Sequence, residues 1–192
     1  VEKATTPDTE KLEGRLITDI AAERGCTPAD VMFDTAIADE LGTFFRISGP
    51  VNVDEAPLER ILKSRTTLVG ISDGGAHLQT FAGGDYTSYF LQHWVRETGR
   101  FTLEEGVAAL SSEVAEFMGL DDRGTIEVDK AADLVVFDPA TVAPLALETL
   151  DDIPGGGSRM TKQAQGMPYV IVNGEVVIDG GSSTDAVPGQ VL

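Results

Sequence analysis

Thr66-Thr67-Leu68-Val69-Gly70-Ile71-Ser72-Asp73-Gly74-Gly75-Ala76-His77 points to a fold class more directly than any other run in this chain. Its first half is apolar with little alternation, the pattern of a strand covered on both faces in a parallel sheet. Its second half is polar and glycine-rich, so the chain leaves that strand through a sharply turning loop that a ligand can approach. In an α/β barrel, strand ends of this kind point into the active site. Asp73 stands there and is the candidate catalytic residue: a carboxylate so placed can take a proton from a metal-bound water and deliver it to a leaving group. The same aspartate would also serve as an Asx turn or a cap closing the loop. His77, in the same loop, is a candidate substrate ligand, with anchoring of the loop as the alternative.

Upstream, helices alternate with short apolar strands. A helix is expected over 12–24, ending at Gly25, and a second opens at Thr27-Pro28-Ala29-Asp30, which combines a cap, a first-turn proline and an acid at the positive end of the dipole. That helix is expected to bury Val31, Met32, Ala36, Ile37 and Leu41. A strand at 43–47 and a short helix after Asp54 follow. Downstream of the loop, 85–98 reads as a helix carrying Tyr86, Tyr89, Phe90 and Trp94. The stretch 102–118 reads as another, opened by a Thr102/Glu105 capping box and striped with Leu103, Val107, Leu110, Val114 and Phe117. His93, among the aromatics, is read as a core or helix-surface histidine.

From about residue 120 the period changes to that of strands. Gly124-Thr125-Ile126-Glu127-Val128 alternates, Asp133-Leu134-Val135-Val136-Phe137-Asp138 is an apolar strand halted by Pro139, and Asn173-Gly174 between two β-prone runs marks a type I′ hairpin. Between them, 140–168 reads as a long connection around Gly155-Gly156-Gly157, a length that is often functional. Arg159 within it is a candidate for a bidentate grip on a substrate carboxylate, against the commoner role of a solvated arginine.

Composition narrows the function classes. The net charge of −18 over 192 residues argues against nucleic acid or an anionic membrane as partner. No run is apolar enough to span a bilayer. Cys26 is the only cysteine, which rules out an intrachain disulfide or a cysteine-cluster zinc site and suits a reducing, cytoplasmic setting. The chain does not begin with Met, and the expectation is that it starts inside a longer protein.

The loop Gly70–His77 resembles the eighth-strand signature of the amidohydrolase superfamily, in its N-acyl-D-amino-acid deacylase (D-aminoacylase-like) branch. Phe101-Thr102-Leu103-Glu104-Glu105-Gly106-Val107, through Gly119-Leu120, is similar to that superfamily's penultimate helices. Asp122-Arg123-Gly124-Thr125-Ile126-Glu127-Val128 and Lys130-Ala131-Ala132-Asp133-Leu134-Val135-Val136-Phe137-Asp138 look like its return from barrel to small β-domain, closed by Val172-Asn173-Gly174. Asp152-Ile153-Pro154-Gly155-Gly156 with Arg159 is similar to a deacylase segment. The second histidine that the best-known members carry soon after the aspartate loop is missing from 78–85.

The resemblance implies an α/β fold, made of the last units of a (β/α)8 TIM-like barrel over 1–120 and the C-terminal strands of a small β-sandwich domain over 121–192. A barrel alone needs ~250 residues, so the N-terminal part of the barrel is expected to be a missing partner. The implied activity is metal-dependent hydrolysis of amide C–N bonds, foremost deacylation of an N-acyl amino acid. Asp73 would be the general acid/base and a candidate metal ligand, and the small amide substrate would meet His77 and Arg159. Zinc is the implied cofactor, with its other ligands absent from this chain, and the chain by itself is expected to be inactive. The alternatives are a cyclic amidase of the same superfamily, or a non-catalytic fragment or binding module. Exposed apolar faces of an incomplete barrel would favour association, including homo-oligomers.

Overall fold

The computed structural model describes residues 1–47, 54–70, 72, 74–75 and 77–191. Asp73, Ile71 and Ala76 lie outside the described residues. The chain divides into two compact units, Val1–Glu55 and Ala56–Leu192.

In the first unit, a 3-10 turn (Glu10–Leu12) leads to α1 (Ile17–Arg24), which ends at Gly25 in the left-handed conformation a C-terminal cap requires. Helix α2 (Pro28–Ala38) opens on the expected signals: Thr27 accepts from the Asp30 N–H, and Asp30 reaches back to the Thr27 backbone. Ile20, Ala21 and Val31 form the core. The buried face of α2 is narrower than expected. Val31 and Thr35 are buried, whereas Met32, Ile37 and Leu41 are exposed, because among the described helices of this unit it is α1 that packs against α2, and it covers one side. The strand expected at 43–47 reduces, over those residues, to a single antiparallel bridge, Lys3 to Phe44.

This unit also buries a carboxylate. Asp39, only 1% exposed, accepts hydrogen bonds from the Thr5 and Thr6 backbone N–H groups and from the Thr5, Thr9 and Thr43 hydroxyls, at 2.6–3.1 Å. Burial opposes its ionisation, but the donors from Thr9, Thr43 and Thr5 outweigh that and hold the carboxyl far below its ordinary range.

In the second unit, α3 (Glu55–Leu62) brings Leu58 and Leu62 onto a core of Phe90, Trp94, Phe101 and Ala109. Helix α4 (Tyr86–Tyr89) runs on as π-helical turns over Phe90–Glu97, closed by the Thr98 N–H on the His93 carbonyl. The single helix expected at 102–118 is two, α5 (Leu103–Leu110) and α6 (Ser112–Met118). The break falls at Ser111, whose hydroxyl donates to the Val107 carbonyl, the back-bonding that bends helices. Its capping box, Thr102 with Glu105, is formed. The buried line is Gly106, Ala109 and Ala115, leaving Val107 and Phe117 exposed.

The strand expected over 66–71 is not formed over 66–70, which run as a turn and irregular backbone. A parallel strand needs a ladder partner, and among the described residues none lies alongside. Val69 still packs on the helical core. Every described strand pair is antiparallel: β1 (Leu134–Val136), β6 (Tyr169–Val172), β7 (Glu175–Asp179) and β8 (Ser182–Ser183) form one sheet in that order, β2 (Ala143–Pro144) pairs β5 (Ala164–Gln165), and β3 (Glu148–Ile153) pairs β4 (Gly157–Thr161). The β6–β7 turn has Asn173 and Gly174 both at positive φ, as the Asn-Gly pair requires. Asp133 ties the motif segments together: Arg123 Nη1 donates to one of its oxygens and the Asn173 N–H to the other, each at 2.7 Å. The strand expected at 124–128 is not formed, and Ile126 and Val128 are about nine-tenths exposed. Arg96 joins the helical and β segments of this unit by donating to the Pro139 and Val142 carbonyls. No described helix is long and apolar enough to cross a membrane.

Candidate active site

The glycine-rich segment is a closed loop. At its start the Ser72 hydroxyl accepts from the Gly74 N–H at 3.0 Å. Gly75 at φ +92° and His77 at φ +52° adopt left-handed backbone, and the His77 carbonyl receives the Thr80 and Phe81 N–H groups. At the far end Gly83 is buried against the first. A Cβ there would lie 2.0 Å from the Ser72 carbonyl oxygen and 2.4 Å from the Phe81 ring, so only glycine lets the two sides meet. The loop then enters α4 at Asp85.

The β3–β4 hairpin docks on this loop. The Met160 N–H donates to the Leu78 carbonyl at 2.6 Å, and beyond β4 the Lys162 Nζ donates to Asp85 Oδ2 at 2.7 Å. His77 and Arg159 each adjoin one side of this first contact in sequence.

Their side chains differ in engagement. The His77 imidazole is exposed and hydrogen-bonds no described residue. Arg159 is engaged by a bidentate pair with Asp152 on the facing strand, both contacts at 2.7 Å, and its guanidinium holds the Asp152 carboxyl below the usual carboxylate range. Asp73 itself lies outside the described residues, so its orientation is not part of this geometry.

His93 is structural. It stacks on Tyr89 with ring centroids 5.3 Å apart, meets Trp94 edge-on, and places Nδ1 3.2 Å from Glu97 Oε2. Donors from Gln92 and His93 hold Glu97 below its ordinary range. Among the described residues no three His, Cys, Asp or Glu side chains cluster so as to hold a metal ion. The described residues therefore do not fit a zinc centre. A groove of about 890 Å³ lies elsewhere, between Leu62–Leu68 and Phe101–Phe117, and no residue of the loop lines it.

Asp85, Lys162 and Gly83 were not among the residues singled out from the sequence. Asp85 reads as a helix start, and nothing local marks Lys162, whose contact spans 77 positions.

Residues 4–178 match the model of the Amidohydrolase family, and the chain belongs to that family. Among particular relatives, it is 34% identical to D-aminoacylase of Alcaligenes xylosoxydans xylosoxydans over 184 residues, 95% of this chain and 34% of that protein. It is 32% identical to the N-acyl-D-glutamate deacylase of the same organism, over 93% of this chain and 33% of the other. In structure it matches N-acyl-D-glutamate deacylase from Bordetella bronchiseptica, solved with zinc and a phosphonate mimic of the tetrahedral intermediate. That match has a TM-score of 0.55 and 30% identity, covering 98% of this chain and 36% of that one. The chain spans about a third of the length of the curated relatives it matches.

Proposed function

We propose that this chain supplies the proton-transfer aspartate to a metal-dependent hydrolase of amide C–N bonds that deacylates N-acyl amino acids. The observation that carries the reading is the identity to D-aminoacylase along 95% of the chain. The pinned loop adjoining Asp73 suits a group that must be held in place for proton transfer. In this reading residues 1–120 are the last units of a (β/α)8 barrel, 121–192 are the C-terminal strands of a β-sandwich domain, and the remaining barrel comes from outside these residues.

Within the site, Asp73 accepts a proton from the attacking water and returns it to the leaving amine. His77, unengaged in the loop, hydrogen-bonds the substrate. Arg159 receives the substrate carboxylate in place of Asp152. Zinc is the metal we infer, because a related deacylase was solved with it; its ligands would lie outside the described residues. A cytoplasmic location accords with the lone cysteine.

The test is hydrolysis of N-acyl-D-amino acids by the protein that carries this chain, with metal analysis, for wild type and Asp73→Asn. Asp73→Asn should lower turnover by ~10²-fold or more with an unchanged circular dichroism spectrum. Wild-type turnover in that variant would remove Asp73 from the chemistry.

A further inference from the structure

We propose that Lys162 is a positioning residue that acts through Asp85 to hold the loop segment adjoining Asp73, an inference that rests on the hydrolase reading above. Asp85 occupies the N-cap position of α4, where an aspartate ordinarily accepts N–H donors from the first helical turn. It makes no such cap. Its carboxylate, 14% exposed, turns to Lys162, and the ammonium side chain is 30% exposed, so the pair is shielded more than an ordinary surface pair.

The consequence runs along a short mechanical path. Asp85 lies two residues after Gly83, and Gly83 is in contact with the Ser72 carbonyl, which leaves no room for even a methyl group. Ser72 immediately precedes Asp73 in the chain. A displacement of Asp85 therefore reaches Ser72 through backbone contact alone. The second point of attachment, Met160 N–H on the Leu78 carbonyl, is close to Lys162 on the same strand exit, so one lysine also keeps the hairpin that bears Arg159 seated on the loop.

Two arrangements of Asp85 compete. With Lys162 present, the carboxylate bridges to the hairpin. Without it, the carboxylate is free to turn back onto the Thr87 and Ser88 N–H groups and cap its own helix, releasing the hairpin from the loop. Lysine at 162 selects the bridged arrangement, and arginine there can reach the same carboxylate.

The experiment compares wild type, Lys162→Met and Lys162→Arg in the protein that carries this chain. In Lys162→Met, kcat on an N-acyl-D-amino acid should fall by about tenfold or more with KM nearly unchanged. Amides of 72–84 should exchange hydrogen about tenfold faster, with the thermal midpoint little moved. Lys162→Arg should restore both. Equal exchange in wild type and Lys162→Met overturns the proposal, whatever the activity. So does a general rise in exchange with a lowered midpoint, which marks a merely structural lysine, or a change in KM alone. If wild type hydrolyses no N-acyl amino acid, the hydrolase reading fails, and the exchange rates alone decide whether Lys162 clamps the loop.

Discussion

Arg159 forks onto Asp152 across the β3–β4 hairpin, Nε to Oδ1 and Nη2 to Oδ2, each at 2.7 Å. This is the geometry in which a guanidinium receives a carboxylate ligand, and here the protein's own aspartate fills it. Both side chains are solvent-accessible, so the pair adds little to stability, and the proposed function has a substrate carboxylate exchange with Asp152. Arg159→Met is expected to leave the thermal midpoint within about 2 °C and to raise KM for an N-acyl amino acid by about tenfold. Asp152→Asn, which weakens the competitor, should lower KM. Steady-state kinetics that show both constants unmoved would take Arg159 out of the site.

Gly83→Ala and Gly84→Ala form a matched pair. A methyl group at 83 collides with the Ser72 carbonyl and the Phe81 ring, whereas at 84 it meets nothing within 4 Å. Gly83→Ala should speed hydrogen exchange across 72–84 and cut turnover by about tenfold or more; Gly84→Ala should do neither. Equal behaviour of the two variants would mean that the loop is not closed where Gly83 meets Ser72.

Asp39 makes the first unit acid-sensitive. Its folded carboxyl titrates far below the unfolded value, so its contribution is complete above an unfolded pKa of about 3.9. As the pH falls below that, the unfolded chain takes up a proton that the folded one resists, and stability declines. Hydrogen exchange of residues 1–55 should therefore rise from about pH 4 downwards, and Asp39→Asn should flatten that slope. The variant should also melt at least about 5 °C lower at neutral pH, because an amide cannot accept from all five donor groups.

The chain purified alone should carry no stoichiometric zinc and should release no amino acid from an N-acyl derivative. Structural and catalytic zinc both need three or four protein ligands in fixed geometry, and no described cluster provides three. Elemental analysis and an amine-release assay on the 192-residue chain check this. One zinc per chain together with turnover would overturn it.

What could be read from the residues alone was what is decided locally. The capping boxes of Thr27 with Asp30 and Thr102 with Glu105, the glycine stop at Gly25 and the Asn173-Gly174 turn each depend on neighbours within a few positions, and each is formed. The departures concern mainly partners far along the chain, the helix break at Ser111 being the local exception. Residues 66–70 have strand-like composition but no ladder neighbour among the described residues. The β3–β4 hairpin was hidden in the long connection, because Glu148-Thr149-Leu150-Asp151-Asp152 is mostly polar and gives no apolar alternation to mark a strand. The two positive-φ residues Gly155 and Gly156 were the available signal for its turn. Of the candidate site, His77 and Arg159 could be named from the sequence as candidates, whereas Lys162 draws notice only through its contact with Asp85, 77 positions away.

The contact between Gly83 and Ser72 joins the two ends of the loop, and the bond from Met160 to Leu78 fastens a point between them to β4. Positions far apart in the chain are thereby tied together, so an inserted or deleted residue between 72 and 83 would be felt both at the helix that follows and at the hairpin. Such a stretch tolerates exchange of its exposed side chains far better than a change of its length.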